Sequence, residues 1–146
     1  MMIQHEMVWA DDRPEVTQTK PITLTPDLAV GRPEELILMA GPCSVETYEQ
    51  TRIVAQEIAR LGGRILRGGA YKPRTSPYSF QGLGHEGLEI LRAVADEFGL
   101  LVVSEALGVD QLPLVAQYSD ILQIGSRNMQ HYPLLWAVGE LEKPVL

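Results

Sequence analysis

Between residues 36 and 142 one pattern repeats four times: a short apolar run closing on polar residues, then a segment with apolar positions at helical spacing. ELILMAGP leads into VETYEQTRIVAQEIARLGG, RILRGGA into HEGLEILRAVADEFG, LLVVSEA into DQLPLVAQYS, and DILQIGS into MQHYPLLWAVGEL; KPVL then opens a fifth run. None of the runs alternates cleanly between apolar and polar residues. They read as strands buried on both faces, the habit of parallel strands covered by helices, and strict β–α alternation means an α/β fold.

Two architectures satisfy that alternation, an open doubly wound sheet and a (β/α)8 TIM barrel. An open sheet gathers its chemistry at one switch point, whereas a barrel places it at the C-terminal end of successive strands. Here every run ends in candidates: Cys43 and Ser44, then Arg67, then Ser104 and Glu105, then Ser126 and Arg127. The barrel is therefore expected. A barrel takes about 250 residues, so residues 36–146 are expected to form its N-terminal half, four βα units plus the start of strand five. Residues 1–35, with Pro14, Pro21, Pro26 and Pro33 and no helical period, read as an extended leader too short for a separate regulatory domain. A short hairpin is expected in TKPITLTPDLAVG, where Pro26 and Asp27 supply the turn.

Charge narrows the function classes. The net charge of -7 argues against nucleic acid as the main partner, which requires a basic stripe, so any basic site must be local. No apolar run approaches a membrane span, and MMIQHEMVWADDRPE is too polar and acidic for a signal peptide, which points to a cytoplasmic setting. The single cysteine, Cys43, excludes an internal disulfide and a multi-cysteine zinc site.

The stretch RGGAYKPRTSPYSFQGLG, directly after the second run, concentrates the local basic residues. Pro73 stiffens the chain between Lys72 and Arg74, while Gly68 and Gly69 permit a sharp turn. Arg offers a planar donor fork for phosphate or carboxylate and Lys a compact charge. With Thr75 they make a phosphate cradle or a solvated basic turn, and composition does not choose between the two. Arg67, flanked by Ile65 and Leu66, requires an anionic partner because an unpaired buried charge is costly; either Glu105 as a structural ion pair or a ligand anion meets that need. Arg127 follows a Gly-Ser pair that lets backbone amides approach a ligand, or it simply enters a helix that Asn128 caps. Cys43 is a buried small hydrophobe or a thiolate ligand. His85 and His131 read as surface or capping residues, and Leu135 and Trp136 as helix packing.

In order, AGPCSVE, ILRGGAYKPRTSPYSFQGLG, SEA and ILQIGSRNMQ resemble the shorter bacterial and archaeal type of 3-deoxy-D-arabino-heptulosonate 7-phosphate (DAHP) synthase, over about residues 20–146. The resemblance implies a TIM barrel that condenses phosphoenolpyruvate with erythrose 4-phosphate, the first step of the shikimate pathway. It implies a divalent metal (Mn, Fe, Zn or Co) with Cys43 as one ligand, and a homo-oligomer when the chain is complete. Arg67, Lys72 and Arg127, with the backbone near Glu105 and Ser126, would surround phosphoenolpyruvate. Arg74 and Thr75 would hold the phosphate of erythrose 4-phosphate, and Lys72 would lie between the substrates, so that Lys72 and Arg67 are the expected catalytic residues. The family's remaining metal ligands, a His, a Glu and an Asp, come from later strands, so residues 1–146 alone are expected to be inactive. In the sibling 3-deoxy-D-manno-octulosonate 8-phosphate synthases the corresponding loop reads Lys-Ala-Asn-Arg-Ser; Lys-Pro-Arg-Thr favours the four-carbon sugar phosphate. The alternatives are that sibling activity and a non-catalytic half-barrel that binds phosphate or assembles with another chain.

Overall fold

The computed structural model describes residues 20–33 and 35–146. Their contacts divide into two units, residues 1–35 and 36–146. In the first, β1 (Ile22–Thr25) pairs antiparallel with β2 (Leu28–Val30). Pro26 and Asp27 form the connection, and Thr25 Oγ1 donates to Asp27 Oδ1 at 2.7 Å.

The second unit runs β3 (Met39–Ala40), α1 (Tyr48–Arg60), β4 (Ile65–Arg67), α2 (His85–Phe98), β5 (Leu101–Glu105), α3 (Leu112–Tyr118), β6 (Ile121–Gln123), a 3-10 turn (Ser126–Asn128) and α4 (Tyr132–Gly139). All pairings are parallel and the spatial order is the chain order, β3-β4-β5-β6. The fifth run joins next. Leu146 N–H donates to Leu122 O at 2.8 Å, Leu122 N–H to Pro144 O at 3.0 Å, and Leu122 and Val145 form a parallel bridge. A doubly wound sheet would reverse direction at a switch point; this order steps one strand at a time, as a barrel wall does.

Local chemistry sets the helix ends. Thr47 caps α1 by accepting from Gln50 N–H at 3.1 Å, and the Gln50 side chain returns to accept from Glu46 N–H at 3.2 Å. Gly99 ends α2 in the left-handed region at φ 65°, where a side chain would be strained. Leu66 and Val102 on the sheet pack with Ala55 and Ile58 of α1 and Leu91, Val94 and Ala95 of α2. A second cluster joins Leu88, Leu112, Val115, Leu122, Leu134 and Val138. Each fully buried Leu or Val here contributes about 1.5–3 kcal/mol.

The N-terminal ends of the strands carry a polar clamp. Asp120 Oδ2 accepts from Val102 N–H at 2.7 Å and from Arg92 at 2.8 Å, while Arg92 also donates to Leu100 O and pairs with Asp96 at 2.7 Å. At the same end Lys143 Nζ donates to Ser119 O at 2.7 Å. This end reads as stability in a barrel, opposite the end that carries chemistry.

Three expectations need correction. Trp136 is 77% exposed, because Leu134 and Val138 take the inward face of α4 and Trp136 falls between them on the outside. Asn128 does not cap α4; its amide donates to Leu107 O at 3.3 Å. His131 precedes α4, standing at its N-cap position without a capping bond from its side chain. Among the described residues no helix is long and apolar enough to cross a membrane.

Candidate functional site

Lys72 lies in the loop after β4 and is only 8% exposed. Its Nζ donates to Cys43 O at 2.5 Å and to Cys43 Sγ at 3.4 Å. Arg67, at the end of β4, sends NH1 toward the same carbonyl at 3.5 Å. Two cations thus converge on one neutral acceptor, and among the described residues neither forms an ion pair. Burial strengthens their mutual repulsion and the cost of leaving each uncompensated. An anion seated between them would relieve both.

The expected direct pair of Arg67 with Glu105 is not formed. Gln123 stands between: Arg67 Nε donates to Gln123 Oε1 at 3.0 Å, and Gln123 Nε2 donates to Glu105 Oε2 at 3.4 Å. Arg67 on β4 and Gln123 on β6 belong to alternate strands, and alternate strands supply each side-chain layer inside a barrel. Gln123 is also the register partner of Glu105. Sequence reasoning passed over it, although an amide at the end of the apolar run DILQIG, at the end where each other run carries its polar residues, was the available signal.

The glycines work by absence of bulk. A Cβ on Gly69 would lie 2.7 Å from Cys43 O and 3.0 Å from Lys72 Nζ, and one on Gly68 would meet Leu91 and Val45 below 3.0 Å. Neither glycine has a positive φ, so close packing, not the sharp turn expected, requires them. Likewise Gly125, read as a place for amides to approach a ligand, makes room for Glu105, whose Oε1 lies 2.0 Å from where its Cβ would stand. Glu105 is 8% exposed.

The loop of residues 71–82 is held by its own bonds. Lys72 N–H donates to Gln81 O at 2.8 Å, and the Gln81 amide reaches Ser76 O and Ser79 O, each at 3.0 Å. At Gly82, φ is +93° and a Cβ would meet Ala70 O at 2.0 Å, so both backbone and space demand glycine there. Arg74 Nε donates to Phe80 O at 3.4 Å, which leaves the terminal guanidinium nitrogens uncommitted on an exposed side chain beside exposed Thr75.

One hydrogen-bonded chain therefore gathers Cys43, Lys72, Arg67, Gln123 and Glu105. Arg74 and Thr75 follow β4 and Ser126 and Arg127 follow β6, at the same end of the sheet but outside that chain, all four exposed. Cys43 is an exposed thiol, which sets aside its reading as a buried hydrophobe. As a metal centre the described residues do not suffice: no three His, Cys, Asp or Glu side chains come together, and Cys43 is a single donor with an ammonium 3.4 Å away.

Residues 15–146 match the family model described as the DAHP synthetase I family. The chain belongs to that family. It is 60% identical over 109 residues to a phospho-2-dehydro-3-deoxyheptonate aldolase of Thermotoga maritima, an alignment covering 75% of this chain and 32% of the relative. A 2-dehydro-3-deoxyphosphooctonate aldolase of Desulfatibacillum aliphaticivorans is 34% identical over 134 residues, covering 87% of this chain and 49% of that protein. Among solved structures, the Thermotoga maritima phospho-2-dehydro-3-deoxyheptonate aldolase (DAHP synthase) superposes with a TM-score of 0.79 at 50% identity, over 88% of this chain and 36% of that one. The truncated form of the 3-deoxy-D-arabino-heptulosonate 7-phosphate synthase from Thermotoga maritima gives 0.75 at 44% identity, over 88% and 44%. The chain thus spans about a third to a half of the relatives it matches, and what they share with it is the sequential parallel wall of a TIM barrel.

Proposed function

We propose that the protein of which these residues form part condenses phosphoenolpyruvate with erythrose 4-phosphate, giving 3-deoxy-D-arabino-heptulosonate 7-phosphate and inorganic phosphate at the entry to the shikimate pathway. The observation that carries the reading is the pair Arg67 and Lys72, two cations sharing the Cys43 carbonyl with no carboxylate in contact among the described residues. Such a pair fits the carboxylate and phosphate of phosphoenolpyruvate. Arg127, Ser126 and the backbone near Glu105 complete the surroundings of that substrate, and Arg74 and Thr75 hold the phosphate of the sugar.

Two polyanions must meet. Cations on both sides of the junction offset their repulsion and fix the reacting carbons, turning an encounter into a positioned reaction. Carbon three of phosphoenolpyruvate bonds to the aldehyde carbon, water adds at carbon two, and the C–O bond to phosphate breaks. Lys72, between the two substrates, offers N–H to the aldehyde oxygen as negative charge develops there. In the proposed complete barrel, of which residues 36–146 are the N-terminal half, Cys43 is one ligand of a divalent metal. The described residues supply no other ligand, so no step above passes through it. A cytoplasmic homo-oligomer belongs to the same reading.

The sibling octulosonate activity is the second reading, and it is the weaker. Lys72-Pro73-Arg74-Thr75 departs from the sibling loop, and identity to the heptonate relative is 60% against 34% for the octonate one. Phosphoenolpyruvate consumption by the complete protein tests the choice. Turnover with erythrose 4-phosphate that a chelator abolishes is expected; faster turnover with arabinose 5-phosphate, or indifference to chelation, refutes it.

A further inference from the structure

We infer that Gln123 is the positioning residue that keeps Arg67 available as an uncompensated cation for phosphoenolpyruvate. This deepens the proposed function and rests on it for the identity of the anion.

A guanidinium only donates hydrogen bonds, an ionised carboxylate only accepts them, and an amide does one at each end. Gln123 is bonded to both, which fixes its orientation by chemistry: the oxygen must face Arg67, at 3.0 Å, and the NH2 must face Glu105, at 3.4 Å. Without this spacer, Arg67 and a buried Glu105 would have every electrostatic reason to close into a direct bidentate pair. That pair would neutralise the charge the anion needs and turn the donor fork away.

With Gln123 in place Arg67 spends Nε on a neutral oxygen. NH1 makes only a long 3.5 Å approach to Cys43 O, and NH2 has no partner among the described residues. The free edge of the fork is therefore held toward Lys72, which meets the same carbonyl. Glu105 is held back in turn, pressed against Gly125 and tied to the amide. A residue that served packing alone at this half-buried strand end would need neither polar end of the amide.

Two substitutions in the complete protein test the inference. Gln123→Glu keeps the shape but presents Arg67 with a carboxylate, and Gln123→Leu removes both bonds. Binding of phosphoenolpyruvate, followed by calorimetry, should weaken about tenfold or more in Gln123→Glu, the scale of one hydrogen bond to a charged group. Gln123→Leu should also weaken it. In steady state the KM for phosphoenolpyruvate should rise while that for erythrose 4-phosphate stays within about twofold, a split that general loosening of the fold would not produce. Phosphoenolpyruvate affinity unchanged in both variants, or the two KM values rising together, overturns the inference. The binding arm does not depend on turnover: a wild-type protein that binds phosphoenolpyruvate but never consumes it with erythrose 4-phosphate refutes the proposed reaction, while the variants still decide the role of Gln123.

Discussion

Replacing Gly125 by alanine adds one methyl group to a backbone that would otherwise accept it, since φ is -70° and ψ 155° at that residue. The penalty is contact alone. The new Cβ would stand 2.0 Å from Glu105 Oε1 and 2.9 Å from its carboxyl carbon, below the 3.0 Å that real Cβ atoms respect. Glu105 is nearly enclosed, so its carboxylate must withdraw by about 1 Å, and its 3.4 Å bond from Gln123 does not survive that movement. Overpacking costs about 1–3 kcal/mol and loss of a hydrogen bond to a charged group about 1.5–3 kcal/mol. Because one displacement produces both, they overlap, and about 2–4 kcal/mol is expected in place of their sum. The assay is urea unfolding of the complete protein beside a control, Gly139→Ala at the end of α4, where among the described residues no atom beyond its own helix backbone and chain neighbours lies within 4 Å of the new Cβ. The control should be neutral or stabilising by up to about 1 kcal/mol. If Gly125→Ala proves as harmless as Gly139→Ala, the packing of Glu105 described above is wrong.

Two further outcomes follow from the structure. Asp120→Ala strips the acceptor from the N–H of buried Val102 and unpairs Arg92; it should cost about 2–4 kcal/mol in the same unfolding assay, with Asp120→Asn avoiding part of that loss because an amide oxygen still accepts. The Arg52 guanidinium, bonded to Glu97, holds that carboxyl below its usual range. A carboxylate depressed in the folded state contributes stability above its unfolded pKa that is lost as pH falls through the folded one. Arg52→Gln should therefore flatten part of the acid-side decline in Tm, and 1 M salt should do the same to the wild type because the pair is exposed; an unchanged acid limb would contradict this.

The architecture was legible because the pattern that encodes it is local. Unbroken apolar runs such as LLVV and helical spacing such as that of TRIVAQEIA are properties of neighbouring residues, and polar residues at the run ends pointed to the barrel. What eluded sequence reasoning depends on strands meeting. Gln123 acquires its meaning from Arg67, 56 positions earlier, and the expected Arg67–Glu105 pair failed because nothing in the sequence says a third side chain fits between them. Gly68, Gly69 and Gly125 were recognised as needed but credited with turns or ligand approach, since the atoms that forbid a Cβ come from other segments. Trp136 was misjudged for a related reason: on a short helix with one inward row, large apolar size does not decide which face a residue occupies.

In the proposed reaction the loop after β4 serves two adjoining anion sites, Arg67 and Lys72 facing phosphoenolpyruvate and Arg74 and Thr75 facing the sugar phosphate. Steady-state kinetics of Arg67→Ala and Arg74→Ala in the complete protein, with each substrate varied in turn, tests it most directly. A crossed result is predicted: Arg67→Ala raises the KM for phosphoenolpyruvate by about tenfold or more and Arg74→Ala does so for erythrose 4-phosphate, each leaving the other substrate within about threefold. Equal effects of both substitutions on both substrates would contradict the division of the loop into two sites.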